Sequence, residues 1–146
     1  CPFTFQFPTF AKIQVLKNNC FFNLFYPEYK ATLHISYLPI IGNLYQHTEE
    51  SRELAYKHSI KANAISEQPF INRKNKVYGL VYDYKGNTAT ALQFYLTDSI
   101  NHFFRGALYF NSEVNDSIAP ISNFLQEDIK HLIESFRWEE GTVNEN

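Results

Sequence analysis

The stretch KVYGLVYDYKGNTATALQFYLTDSINHFFRGALYFN, residues 76–111, decides the fold. Tyr78, Leu80, Tyr82 and Tyr84 share one face of its first run, residues 76–84. Leu92, Phe94 and Leu96 do the same over residues 89–97, and Phe104, Leu108 and Phe110 over residues 103–111. Such alternation marks strands, because successive side chains leave a pleated backbone on opposite sides. Lys85-Gly86-Asn87 is a hairpin turn, and residues 98–102 are short enough to be another. Parallel neighbours would need crossovers of a dozen residues or more, so these strands run antiparallel.

Upstream, residues 64–71 are expected to be extended, with Pro69 marking an edge or bulge because it has no N–H to give a ladder. Residues 44–62 change period. Behind Asn43, a fair N-cap, an apolar stripe of Leu44, Leu54, Ala55, His58 and Ala62 recurs at helical spacing. Glu49 and Glu50 precede Lys57 and Lys61, which suits the helix dipole. Residues 3–38 read as strands again: 3–7, 12–16, 21–26 and 31–38, with Lys17-Asn18-Asn19 as a turn and Pro8 and Pro27 as stops.

Downstream of the block, Asp116 or Ser117 caps the clearest helix and Pro120 occupies its first turn. Ile118, Ile121, Leu125, Ile129, Leu132, Ile133 and Phe136 form one continuous stripe, and Trp138 closes the core edge. The expectation is an α+β fold. A mostly antiparallel sheet carries one mid-chain helix and one C-terminal amphipathic helix, in a single domain over residues 1–138. Residues 139–146 read as a disordered polar tail.

With 146 residues, the chain can bury roughly 68–70% of its unfolded surface and does not depend on cysteines to fold. Its net charge is −2 without a basic run, so it lacks the cationic stripe that nucleic-acid backbones require. No apolar stretch approaches the roughly 18–20 residues of a membrane span. The opening Cys1 reads as the start of a mature fragment whose targeting segment has been removed.

Cys1 and Cys20 have three readings. Cys1 could carry a lipid, but lipid-bearing cysteines precede a flexible tether, and here Pro2 to Phe7 begins a strand at once. The two thiols could be free and buried, as in cytosolic proteins. Or they could form a disulfide, since each stands at the head of a strand-like run and two strand starts can meet the short Cα separation required. The disulfide is the expectation, closing a loop worth about 3 kcal/mol in an oxidising compartment.

A search for chemistry finds little. His34, His47, His58, His102 and His131 form no metal-ligand spacing, and glycine is too scarce for a phosphate-cradling loop. Asp98, Ser99 and His102 fill a turn, where Asp and Ser are ordinary, rather than the separated positions of a catalytic triad. We therefore expect no enzyme, metal or cofactor. Polar residues do interrupt the second strand block. Gln68, Phe70, Asn87, Thr88, Gln93 and Arg105 are either turn chemistry and a solvated sheet face, or a fixed polar rim that docks a partner.

The chain also carries ordered blocks: Cys1-Pro2-Phe3-Thr4-Phe5, Asn19-Cys20-Phe21-Phe22-Asn23, Lys30-Ala31-Thr32-Leu33, His58-Ser59-Ile60-Lys61-Ala62, Glu67-Gln68-Pro69-Phe70-Ile71-Asn72, Asn87-Thr88-Ala89-Thr90 and Gln93-Phe94-Tyr95-Leu96-Thr97-Asp98-Ser99. In these blocks it resembles the gliding-motility lipoprotein GldD family of the Bacteroidetes, from Cys1 to about Trp138. The resemblance implies a lipid-bearing cysteine further upstream, the periplasmic side of the envelope, and other motility or type IX secretion proteins as partners. It implies no catalytic residue. The element order is also similar to the PsbP-like α/β sandwich, an analogy of fold alone. The expected role is a scaffold or assembly factor. The alternative is a small-ligand domain with a pocket between sheet and helix lined by Tyr78, Tyr82 and Tyr84.

Overall fold

A computed structural model of the chain describes residues 1–18, 20–57, 62, 64–86, 88–111 and 118–139. Strands β1 (Phe3–Thr4), β2 (Lys12–Asn18), β3 (Phe21–Tyr26) and β4 (Ala31–Pro39) precede helix α1 (Leu44–Tyr56). Then come β5 (Ala64–Asn72), β6 (Val77–Lys85), β7 (Thr90–Thr97), β8 (His102–Phe110), helix α2 (Ala119–Ser135) and β9 (Arg137–Trp138). Among the described residues, seven strands form one sheet in the order β2-β3-β4-β8-β7-β6-β5, every neighbouring pair antiparallel. The fold is α+β, as expected. β5 with its Pro69 is an edge strand, which spares the sheet an unmade ladder bond.

One helix lies on each face of the sheet. Leu24, Leu33, Leu92, Phe94, Leu96, Phe104 and Leu108 point to one side and are fully buried with Leu125, Ile129, Leu132 and Phe136 of the C-terminal segment. Each such side chain contributes roughly 1.5–3 kcal/mol. Two glycines let strands and rings close up on this side. A Cβ on Gly106 would lie 2.5 Å from the Phe94 ring, and one on Gly79 only 1.9 Å from the Tyr95 carbonyl oxygen. Gln126 joins the stripe by donating to the Ala91 carbonyl at 3.2 Å.

Helix α1 lies on the other side, where Ala55 packs with Tyr82 and Tyr84. Its buried residues are His47, Ser51 and Ala55, spaced four apart. The expected stripe is therefore corrected: Leu54 is 45% exposed, and the residues that α1 buries are small or polar. The helix also ends at Tyr56, with Lys57 donating to the Glu53 carbonyl at 3.0 Å, and Ala62 is not helical. His58 and Lys61 lie outside the described residues, as do Asp116 and Ser117. Ile118 stands at the N-cap of α2 without a side-chain cap bond.

The N-terminal strand is shorter than residues 3–7. Only Phe3 and Thr4 pair, and their partner is β9, with Phe3 opposite Trp138. Phe3 packs edge-on to Phe104 at 4.9 Å and stacks on Phe136 at 5.6 Å. Phe5 packs on Phe22, Phe104 and Phe136 beside Phe3, and Phe7 tilts against Phe5, so the alternation is aromatic packing and not a ladder. β2 continues through Lys17 and Asn18, which displaces the expected turn; Asn19 is outside the described residues. Beyond β9, Glu139 still donates its N–H to the Pro2 carbonyl at 2.7 Å, and residues 140–146 are outside the described residues.

Candidate functional site

Cys1 and Cys20 are joined in a disulfide, 19 residues apart in sequence and 5.4 Å apart at Cα. Cys20 directly precedes β3 and Cys1 lies just ahead of β1, so the bond ties the small β1–β9 pair to the large sheet. Every cysteine of the chain is used in it.

The five described rim residues, Gln68, Phe70, Thr88, Gln93 and Arg105, do not form one surface. Gln93 and Arg105 meet on the α1 side, where the Arg105 guanidinium donates to Gln93 Oε1. Gln93 Nε2 in turn donates to Thr90 Oγ1 and the Tyr109 hydroxyl, both at 3.3 Å, and Thr90 Oγ1 to the Leu108 carbonyl at 2.8 Å. Gln68 and Phe70 lie on edge strand β5 toward α2, beside a pocket of about 160 Å³ with Lys130 and Ile133. Thr88 is buried in its turn, donating to the Thr90 carbonyl at 2.6 Å, and Asn87 is outside the described residues. Three locations replace one rim because alternate strand residues face opposite sides of the sheet.

Asp98 has the turn role read from sequence. Its Oδ1 accepts the N–H groups of Ile100, Asn101 and His102 at 3.0, 2.8 and 2.9 Å. Burial opposes its charge, but the three backbone donors and His102 outweigh it and hold the carboxyl below the ordinary range. The His102 ring is committed elsewhere, 2.6 Å from the Tyr37 hydroxyl and stacked on Trp138 at 5.0 Å.

The three tyrosines expected to line a pocket behave differently. Tyr84 is buried and donates to the Ala55 carbonyl, while Tyr82 is buried edge-on against Tyr56 at 5.9 Å. Burial, followed by Tyr95 and Glu67, pushes the Tyr82 phenol up to about 12. Tyr82 and Tyr84 pack beside Ala55 of α1 instead of lining a space, and Tyr78 lies farther along β6, opposite Ile71 and Thr97. The opening between α1 and the sheet lies nearer the start of the helix. It measures about 180 Å³ and is lined by Ser36, Leu38, His47, Glu50, Ser51, Leu54, Phe103 and Arg105.

A second feature escaped the sequence reading. β2 is the other edge strand, and Ile13, Val15 and Leu16 on it are 51%, 58% and 58% exposed. Ile13 and Val15 stand opposite Leu24 and Phe22, on the α2 side of the sheet, where the helix does not reach them. With Phe3, Phe5, Phe7 and Phe22 they line an apolar groove of about 300 Å³ that begins at Cys1. The signal available was the apolar pair Ile13 and Val15 in a strand without a flanking helix; its position at the edge was not readable.

Among the described residues, no helix is long and apolar enough to cross a membrane, and no group of three or more His, Cys, Asp or Glu converges as metal ligands would. In comparisons with known proteins, the family model for gliding motility lipoprotein GldD matches residues 1–138. Neither a curated protein nor a solved structure matches.

Proposed function

Because the chain belongs to the gliding motility lipoprotein GldD family, we propose that it is a non-enzymatic scaffold or assembly factor of the gliding and type IX secretion machinery. Membership implies lipid anchoring, association with the envelope and a role related to gliding motility. A cysteine whose sulfur is in a disulfide cannot also carry a thioether-linked lipid, and both cysteines are so used. The lipid is therefore carried by a cysteine outside these 146 residues. The disulfide also supports the periplasmic side as the working compartment, because such bonds persist where the environment is oxidising.

The observation that carries the scaffold reading is the β2 edge, unpaired among the described residues, with its apolar groove. An unpaired edge offers a row of N–H and C=O groups, and natural sheets blunt such edges unless they are used. Here the edge mixes Lys12 and Gln14 with the exposed apolar Ile13, Val15 and Leu16, and it adjoins an aromatic groove. Its occupant on this reading is an extended segment of another envelope protein, added as an eighth strand with alternate side chains in the groove. Gln68, Phe70, Gln93 and Arg105 then lie apart from the main contact.

The test is photo-crosslinking from position 15 in gliding cells. An envelope protein should be captured with the native chain, and Ile13→Glu should abolish the capture while leaving the melting temperature within about 2 °C, since both side chains are largely solvated. Capture of no envelope protein would sink the reading.

A further inference from the structure

We infer that the opening between α1 and the sheet is a binding site for a small monocarboxylate. This is independent of the edge-strand reading, and involves the opposite face of the sheet. Its floor consists of two cross-strand pairs, Ser36 with Arg105 and Leu38 with Phe103. Its wall is the face of α1 that carries His47, Ser51 and, at the rim, Glu50 and Leu54.

One buried polar atom there lacks a partner, and the cation beside it lacks a carboxylate. The His47 ring is stacked on Phe103 at 5.0 Å and its Nε2 is buried without a hydrogen-bond partner among the described residues. Buried polar atoms are rarely left so, and an exception asks for a missing partner. Arg105 is half-buried, and among the described residues it makes no ion pair with a carboxylate. Gln93 takes one of its guanidinium donors, and Gln93 is itself fixed by Thr90 and Tyr109. A guanidinium has five N–H donors in a planar fork, suited to a carboxylate. The cation is thus held by Gln93, and it lines the opening with the rest of its fork uncommitted to a carboxylate.

Size and charge narrow the ligand. About 180 Å³ is below the range of drug-sized sites, so a terminal or small group fits and a nucleotide does not. One cation faces the space and Glu50 stands at its rim, so a single negative charge is matched better than the double charge of phosphate. Leu38, Leu54 and Phe103 supply an apolar side for a short branched chain. The carboxylate could come from a free organic acid or from the C-terminus of a peptide.

An NMR titration of the isotope-labelled chain separates these. Isovalerate should shift the His47 ring and Arg105 Nε–H signals saturably, with a dissociation constant in the millimolar range. Isovaleramide should not, and inorganic phosphate should bind more weakly. N-acetylleucine binding more tightly than isovalerate identifies a peptide terminus as the source; the reverse order identifies a free acid. Arg105→Lys keeps the charge but loses the fork, and should weaken isovalerate about tenfold or more. Ser36→Leu fills the floor with Arg105 intact and should abolish binding. The proposal is overturned if neither carboxylate gives a saturable shift, if the amide or phosphate binds as well as isovalerate, or if both variants bind unchanged.

Discussion

Asp98 shows how a single side chain can be read correctly from its neighbours in sequence. Three N–H groups within four residues converge on one oxygen, a local arrangement that a turn of this length dictates. Asp98→Ala should cost about 1.5–3 kcal/mol, the range for hydrogen bonds to a charged group. Because the folded carboxyl is held below its ordinary value, its contribution is present above about pH 4 and fades as pH falls through the lowered value. Chemical denaturation of the two proteins from pH 7 to pH 2 should therefore converge at the acid end. Asp128 has the opposite sign. Burial raises its pKa, and burial together with this carboxylate also raises that of the fully buried Tyr26. Neither Tyr26 Oη nor Asp128 Oδ2 has an aligned hydrogen-bond partner among the described residues. A raised carboxyl stabilises only below its ordinary value and loses that contribution as pH rises, so ionised Asp128 opposes folding at neutral pH. Asp128→Asn should raise the melting temperature at pH 7, and the gain should vanish by about pH 3, below the ordinary carboxylate value. An unchanged or lowered melting temperature at pH 7 would contradict this.

At the scale of elements, strands were legible and helix α1 was only half so. Period-two alternation is a local property, so β6, β7 and β8 could be placed to within one or two residues. The burial of α1 is decided from outside it. His47 and Ser51 turn inward because Phe103 and Arg105 lie beneath them, and no hydropathy pattern within the helix encodes that. Phe3 to Phe7 failed for the same reason, since a ring packed on other rings alternates as a strand does. The α1 contact is also tight. Ala55 is fully buried and its carbonyl accepts from Tyr84, so Ala55→Leu should destabilise by about 1–3 kcal/mol through overpacking despite leucine's good helix propensity. A melt showing no loss would mean that α1 can lift off the sheet.

Across the whole molecule, what sequence withheld is what depends on distant pairing. The insertion of β8 between β4 and β7, which sets Ser36 beside Arg105, joins residues about seventy apart. The position of β2 at an edge and the β1–β9 pair follow from the same non-local order. The disulfide was legible because two strand starts suffice to suggest it. Replacing both cysteines by serine should lower stability by about 3 kcal/mol, seen as a melting temperature lower by about 10 °C.

That same bond has a mechanical meaning. Tension applied through a tether attached at Cys1 passes through sulfur to Cys20 and enters the sheet at β3. The loop between the two cysteines, with β1, the aromatic groove and the β2 edge, is shunted out of the load path. In single-molecule pulling from this attachment, the reduced protein should release about 60 Å more chain than the oxidised one. The β2 edge and its groove would thus stay folded while the force runs past them.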